Sequence, residues 1–191
     1  MMEQKVLLID QDGVEAQYDR RILELAHERF GLPLYTPEDV TNFETHEIFG
    51  EEMASLVEKL ALEEGFFSSL LPMDGAVTAF NEIIEASHEY GFGVFICTKP
   101  KRFYKNPYCL YEKADWISHI LGREHADRII FTRDKTLVYG TVLLDDKPSV
   151  TGCMKPFWTH VLFDRPYNKK AAGPRLPNWS SWKEVLLPYL T

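Results

Sequence analysis

Five short apolar runs punctuate the chain: "KVLLID" (5 to 10), "GVFICT" (93 to 98), "RIIFT" (128 to 132), "TVLLDD" (141 to 146) and "THVLFD" (159 to 164). Each is apolar at successive positions, which predicts a strand covered on both faces. Between the runs, apolar residues recur at helical spacing over 19 to 30, 51 to 63, 75 to 90, 111 to 121 and 180 to 187. Buried strands separated by helices predict an α/β fold: a Rossmann-like parallel sheet with helices on both faces.

One interval breaks the rhythm. No strand is predicted from Gly13 to Gly93, which is far more chain than one crossover helix uses. Residues 15 to 73 are therefore expected to form a small helical cap inserted after the first strand, and residues 1 to 14 with 74 to 191 the core. Proline and glycine in "GLPLYTPEDV" and "LLPMDGAV" mark the breaks. The segment "NKKAAGPRLPNW" (168 to 179) reads as a mobile loop.

Strand ends give the pattern a chemical meaning, because ligands of open parallel sheets lie beyond the carboxyl ends of the strands. Asp10 and Asp12 close the first run, Thr98 the second, and Asp145 and Asp146 the fourth; Arg133, Asp134 and Lys135 follow the third. Two carboxylates one residue apart repel each other and resist leaving water, so a cation is implied. Carboxylate oxygens supplemented by water suit Mg²⁺. A site of this kind suits phosphoryl transfer through an aspartyl phosphate. One carboxylate attacks phosphorus, a second moves the proton, and Lys135 and Thr98 hold developing charge.

Bulk properties narrow the ligand. A net charge of −8 with a pI near 5.3 argues against gripping a nucleic-acid polymer and leaves room for a small phosphorylated substrate. The three cysteines, Cys97, Cys109 and Cys153, form neither a disulfide framework nor a zinc motif, and the six histidines show no metal spacing. The first apolar run is too short for a signal peptide, and no stretch approaches the roughly 20 residues of a membrane span. A cytoplasmic enzyme is expected. Taken singly, each candidate has a plainer explanation: threonine is common in strands, aspartates cap loops, Lys113 in "YEKADW" fits an exposed helix face, and Phe66 and Phe67 fit a core.

In order, and each after a predicted strand, "DQDGV", "ICT", the "DK" at 134 and 135 and "LLDD" resemble the four motifs of the haloacid dehalogenase-like (HAD) phosphatase superfamily. "FICTKP", "CLYEKADWI", "RIIFTRDKTLV", "LLDDKP", "WTHVLF" and "WSSWKEVL" resemble, again in order, segments of the 5'(3')-deoxyribonucleotidases. The resemblance implies Asp10 as nucleophile and Asp12 as general acid and base. It implies Mg²⁺ held by Asp10, the main-chain carbonyl of Asp12, and Asp146, with Asp145 assisting through water. Thr98, Lys113 and Lys135 would contact phosphate, and Tyr18, Phe66 and Phe67 would flank a base. The implied substrate is a nucleoside monophosphate, and such enzymes are often homodimers.

The chain departs from that pattern in places. Lys99 stands where the family usually has serine and Lys147 where it usually has arginine, so both enter the phosphate-binding set; Glu15 to Tyr18 replace a short aliphatic stretch. Other small esters, such as sugar phosphates or phosphoglycolate, and a catalytically silent nucleotide-binding role stay open. A signalling receiver domain would need an aspartate at the end of the third run, where this chain has Thr132.

Overall fold

The computed structural model describes residues 4–191. Strands β1 (Val6–Ile9), β2 (Gly93–Thr98), β3 (Ile129–Phe131), β4 (Val142–Asp145), β5 (Thr159–Phe163) and β6 (Arg175–Leu176) form one sheet in the order β3-β2-β1-β4-β5-β6. Every pairing is parallel, and the register sets Leu8 beside Phe95 on one side and Leu143 on the other. The α-helices are α1 (Tyr18–Phe30), α2 (Gly50–Leu60), α3 (Ala76–Tyr90), α4 (Cys109–Ile120) and α5 (Trp182–Leu190). The five expected strands and five expected helices all appear within a few residues of their predicted bounds.

Alternation along the central strands divides the core, since successive side chains point to opposite faces. Leu7, Ile9, Val94, Ile96, Val142 and Leu144 join the large cluster, packed with residues of α3, α4 and α5. Leu8, Cys97 and Leu143 point the other way and meet Trp158, Val138 and Val150. That second cluster is drawn from strands and the segments that connect them. No helix among the described residues is long and apolar enough to cross a membrane.

The long interval after β1 leaves and returns through adjacent backbone. Ala16 bridges Pro72 antiparallel, Gln17 N–H donates to the Leu71 carbonyl at 2.8 Å, and Met73 N–H to the Glu15 carbonyl at 2.7 Å. Between these points lie α1, α2 and short turns. The returning segment is fastened to α4: the buried Glu112 carboxylate accepts from the backbone of Gly65 at 2.6 Å and of Phe67 at 2.9 Å, and Trp116 Nε1 donates to the Leu70 carbonyl at 2.7 Å.

The segment 168 to 179, expected as a mobile loop, is instead tied down. Arg175 donates to Asp164, to the Asn168 side chain and to the carbonyls of Asn168 and Ala171, while Trp179 Nε1 reaches the Val14 carbonyl at 3.0 Å. Loop composition reports the absence of a periodic pattern, not the side chains that replace it. Here the several donors of one guanidinium gather the turn.

Candidate active site

The carboxyl ends of β1, β2 and β4 and the segment after β3 meet at one end of a cavity of about 380 Å³. Asp10 continues the β1 ladder, its N–H donating to the Leu144 carbonyl at 2.9 Å. The chain then turns tightly, with the N–H groups of Glu15 and Ala16 both donating to the Gln11 carbonyl. Gly13 makes this possible. Its φ of +77° disfavours a side chain, and a Cβ there would come within 2.1 Å of Asp146 Oδ2. The turn therefore lies directly against Asp146, the residue after β4.

Lys135 joins the two ends. Its ammonium lies 2.7 Å from Asp10 and 2.6 Å from Asp145. Burial opposes its charge, yet those two carboxylates hold the ammonium above the usual lysine range. Burial pushes the Asp10 carboxyl up to about 6, with Lys135 opposing and Asp145 and Asp12 adding to the rise. Asp146 is pushed well above the usual carboxylate range by burial, then by Asp145 and Asp10; the Tyr167 hydroxyl donates to it and works the other way.

Beneath lies a second group, buried except for Asp12. Lys113 Nζ ion-pairs with Asp12 at 2.7 Å and donates to Thr98 Oγ1 at 2.9 Å, and Gln11 Nε2 donates to the Lys113 carbonyl at 3.3 Å. Lys113 and Thr98 have no exposed surface. Neither lines the cavity, so they reach it only through Asp12 and the end of β2.

Asp10, Asp145 and Asp146 each present one carboxylate oxygen within 4.8 Å of the others. Three crowded oxygen donors, two of them resisting ionisation, match what a hard divalent cation takes. The Asp12 carboxylate is turned to Lys113 instead. Of the other expected residues, Tyr18, Lys99 and Lys147 line the cavity. Phe66 and Phe67 do not: both are buried behind Tyr18, with the Phe66 ring edge-on to it at 5.4 Å.

Several lining residues carried no sequence signal. Phe43 meets Tyr167 edge-on at 5.7 Å, and Asp19 pairs with Arg165 at 2.8 Å while accepting from Thr45 Oγ1. Arg165 and Tyr167 follow β5, so the strand-end rule that located the aspartates reaches them too. Phe43 and Thr45 lie in aperiodic chain and offered nothing comparable.

Glu15, in the same turn, is buried with neither carboxylate oxygen hydrogen-bonded among the described residues, and burial pushes its carboxyl well above the usual range. The folded state therefore keeps a proton that the unfolded chain loses above its ordinary value of 4.5. Its contribution is fully present below that pH and is lost as pH rises. Glu15→Leu is expected to be more stable than the wild type, by a margin growing about 1.4 kcal/mol per pH unit until the folded carboxyl ionises. Urea unfolding at pH 5 and pH 8 checks this, and a margin independent of pH would contradict it.

A sequence profile described as "5' nucleotidase, deoxy (Pyrimidine), cytosolic type C protein" matches residues 4–188. A putative 5'(3')-deoxyribonucleotidase of Bordetella bronchiseptica is 37% identical over 185 residues, covering 95% of each chain. The human cytosolic-type 5'(3')-deoxyribonucleotidase is 36% identical over 190 residues, covering 94% of this chain and 92% of its own. Among solved structures, a HAD family hydrolase from Deinococcus radiodurans, described with bound phosphate and sodium, superposes with a TM-score of 0.56 at 14% identity, covering 97% of this chain and 96% of its own. A HAD hydrolase from Bacillus subtilis, described as bound to magnesium, gives 0.54 at 13%, covering 96% and 99%. These two likenesses establish the shared HAD fold.

Proposed function

Because the chain belongs to the cytosolic type C 5'-nucleotidase family, we propose that it is a Mg²⁺-dependent phosphomonoesterase that dephosphorylates (deoxy)ribonucleoside monophosphates through an aspartyl phosphate. The observation that carries this reading is the convergence of Asp10, Asp145 and Asp146 on Lys135, with Asp12 one turn away, at the end of a cavity sized for a small ester.

In this reading Asp10 attacks phosphorus, a bond forms between its carboxylate oxygen and phosphorus, and the ester oxygen departs with a proton from Asp12. Water then attacks the same phosphorus, gives its proton to Asp12, and frees Asp10 and inorganic phosphate. Lys135 orients Asp10 from 2.7 Å, and Lys113 fixes Asp12 from the opposite side. Asp10, Asp145 and Asp146, with the Asp12 carbonyl, would hold Mg²⁺, which when bound screens the nucleophile from the phosphate charge. Residues 15 to 73 act as a cap over the core formed by residues 1 to 14 and 74 to 191, excluding water and supplying Tyr18 and Phe43 beside the substrate.

Phosphate release from the purified protein, with Mg²⁺ or with chelator, tests the reading across deoxyribonucleotides, ribonucleotides, sugar phosphates and an aryl phosphate. Mg²⁺-dependent release from nucleoside monophosphates is expected. Release from other esters alone would overturn the substrate, and no release from any would overturn the activity.

A further inference from the structure

Of the three clustered carboxylates, Asp146 is the one without an ammonium. Lys135 pairs with Asp10 and Asp145, and among the described residues no ion pair reaches Asp146. Like charges that close would turn an untethered carboxylate away. What holds it is a short segment after β5. Pro166, with its fixed φ, opens a tight turn over Pro166–Asn168. The Asn168 N–H donates to the Arg165 carbonyl at 3.1 Å, and the Arg165 N–H to Asn168 Oδ1 at 3.1 Å.

This turn grips Asp146 twice. The fully buried Asn168 amide donates through Nδ2 to the main-chain carbonyls of Asp146 and Phe163, each at 2.7 Å, and the Tyr167 hydroxyl donates to Asp146 Oδ2. Gly13 makes the room. A Cβ there would meet Asp146 Oδ2 at 2.1 Å and Tyr167 Oη at 3.3 Å, so the carboxylate oxygen and the phenol share the gap that the glycine leaves. The other carboxylate oxygen of Asp146 takes no hydrogen bond among the described residues, and Asp146 lines the cavity. Tyr167 is itself held from two sides. Its ring stands edge-on to Phe43 at 5.7 Å, and Arg165, two residues earlier, is anchored to Asp19 of α1 at 2.8 Å.

We propose that Tyr167 is a positioning residue for the cation: its hydroxyl fixes Oδ2 of Asp146 against the turn after β1, so that the remaining oxygen is presented beside Asp10 and Asp145. A carboxylate held at one oxygen offers the other in one direction, which is how donors behind a metal ligand raise its affinity. Tyr167 acts through Asp146 and takes no part in the bond changes at phosphorus. The inference rests on the Mg²⁺-dependent phosphomonoesterase reading and deepens it, adding a residue that lies outside the four strand-end motifs.

The test uses Tyr167→Phe, which removes the hydroxyl and keeps the ring against Phe43. Mg²⁺ is titrated calorimetrically into chelator-treated wild type and variant, and phosphate release from a deoxyribonucleoside monophosphate is followed as Mg²⁺ is raised. The variant is expected to melt as a folded protein and to bind Mg²⁺ about tenfold or more weakly, the scale of losing a donor behind a metal ligand. Its turnover should fall at limiting Mg²⁺ and return toward the wild-type kcat at saturating Mg²⁺, with the KM for the nucleotide little changed. An unchanged Mg²⁺ Kd, a loss of turnover that excess Mg²⁺ does not restore, or a variant that fails to fold would overturn the positioning role and leave the phosphomonoesterase standing. A wild type that binds no Mg²⁺ or releases no phosphate would defeat the parent reading and this inference with it.

Discussion

Asp10→Asn is expected to lose turnover by at least about a thousandfold while remaining folded. The amide has nearly the shape of the carboxylate but no anionic oxygen with which to attack phosphorus. The fold should tolerate the change because Lys135 keeps its second partner, Asp145, at 2.6 Å. The substitution also relieves a carboxylate that burial and its acidic neighbours already disfavour. Steady-state phosphate release, read beside a thermal melt, checks both halves. A variant of near-normal rate would remove Asp10 from the chemistry, and an unfolded one would show that its charge holds the site together.

Lys135→Met is expected to strike both activity and stability. Asp10 and Asp145 would be left buried without their shared cation, and breaking a buried ion pair from one side costs about 3–5 kcal/mol. The pH dependence follows from the sign of that loss. Without Lys135 the folded state raises the Asp10 carboxyl still further, so the deficit is small below about pH 6, where that carboxyl keeps its proton in the wild type too, and grows as pH rises above it. Chemical unfolding of the variant near pH 4 and at pH 7 should show the larger deficit at pH 7. A deficit equal at both would mean that Lys135 contributes packing rather than charge.

Much of this fold could be read from the chain because its strands announce themselves. Residues such as Leu7, Leu8 and Ile9 are buried on alternate faces of one sheet, which is why the runs were apolar without alternation. Strand ends then located Asp10, Thr98, Asp145 and Asp146, since a parallel sheet delivers all of those ends to one edge. Other features depend on contacts that no local pattern encodes. Glu112 reads as an ordinary helical acid, yet it is the acceptor for two backbone groups of residues 65 to 67. Phe66 and Phe67 were expected at a base pocket on the strength of their segment, whereas the rings that face the cavity are Tyr18, Phe43 and Tyr167. Which of several neighbouring aromatics turns outward is settled by packing, and packing is not periodic.

The proposed covalent step is open to direct observation. Substrate mixed with the wild-type enzyme and Mg²⁺, quenched in acid within the first turnovers and digested, should yield a phosphorylated peptide with the phosphoryl group on Asp10. The same peptide from Asp10→Asn should be unmodified. Rapid phosphate release by the wild type with no phosphoryl group on any peptide, or with the label on another residue, would contradict the assignment of Asp10 as the nucleophile.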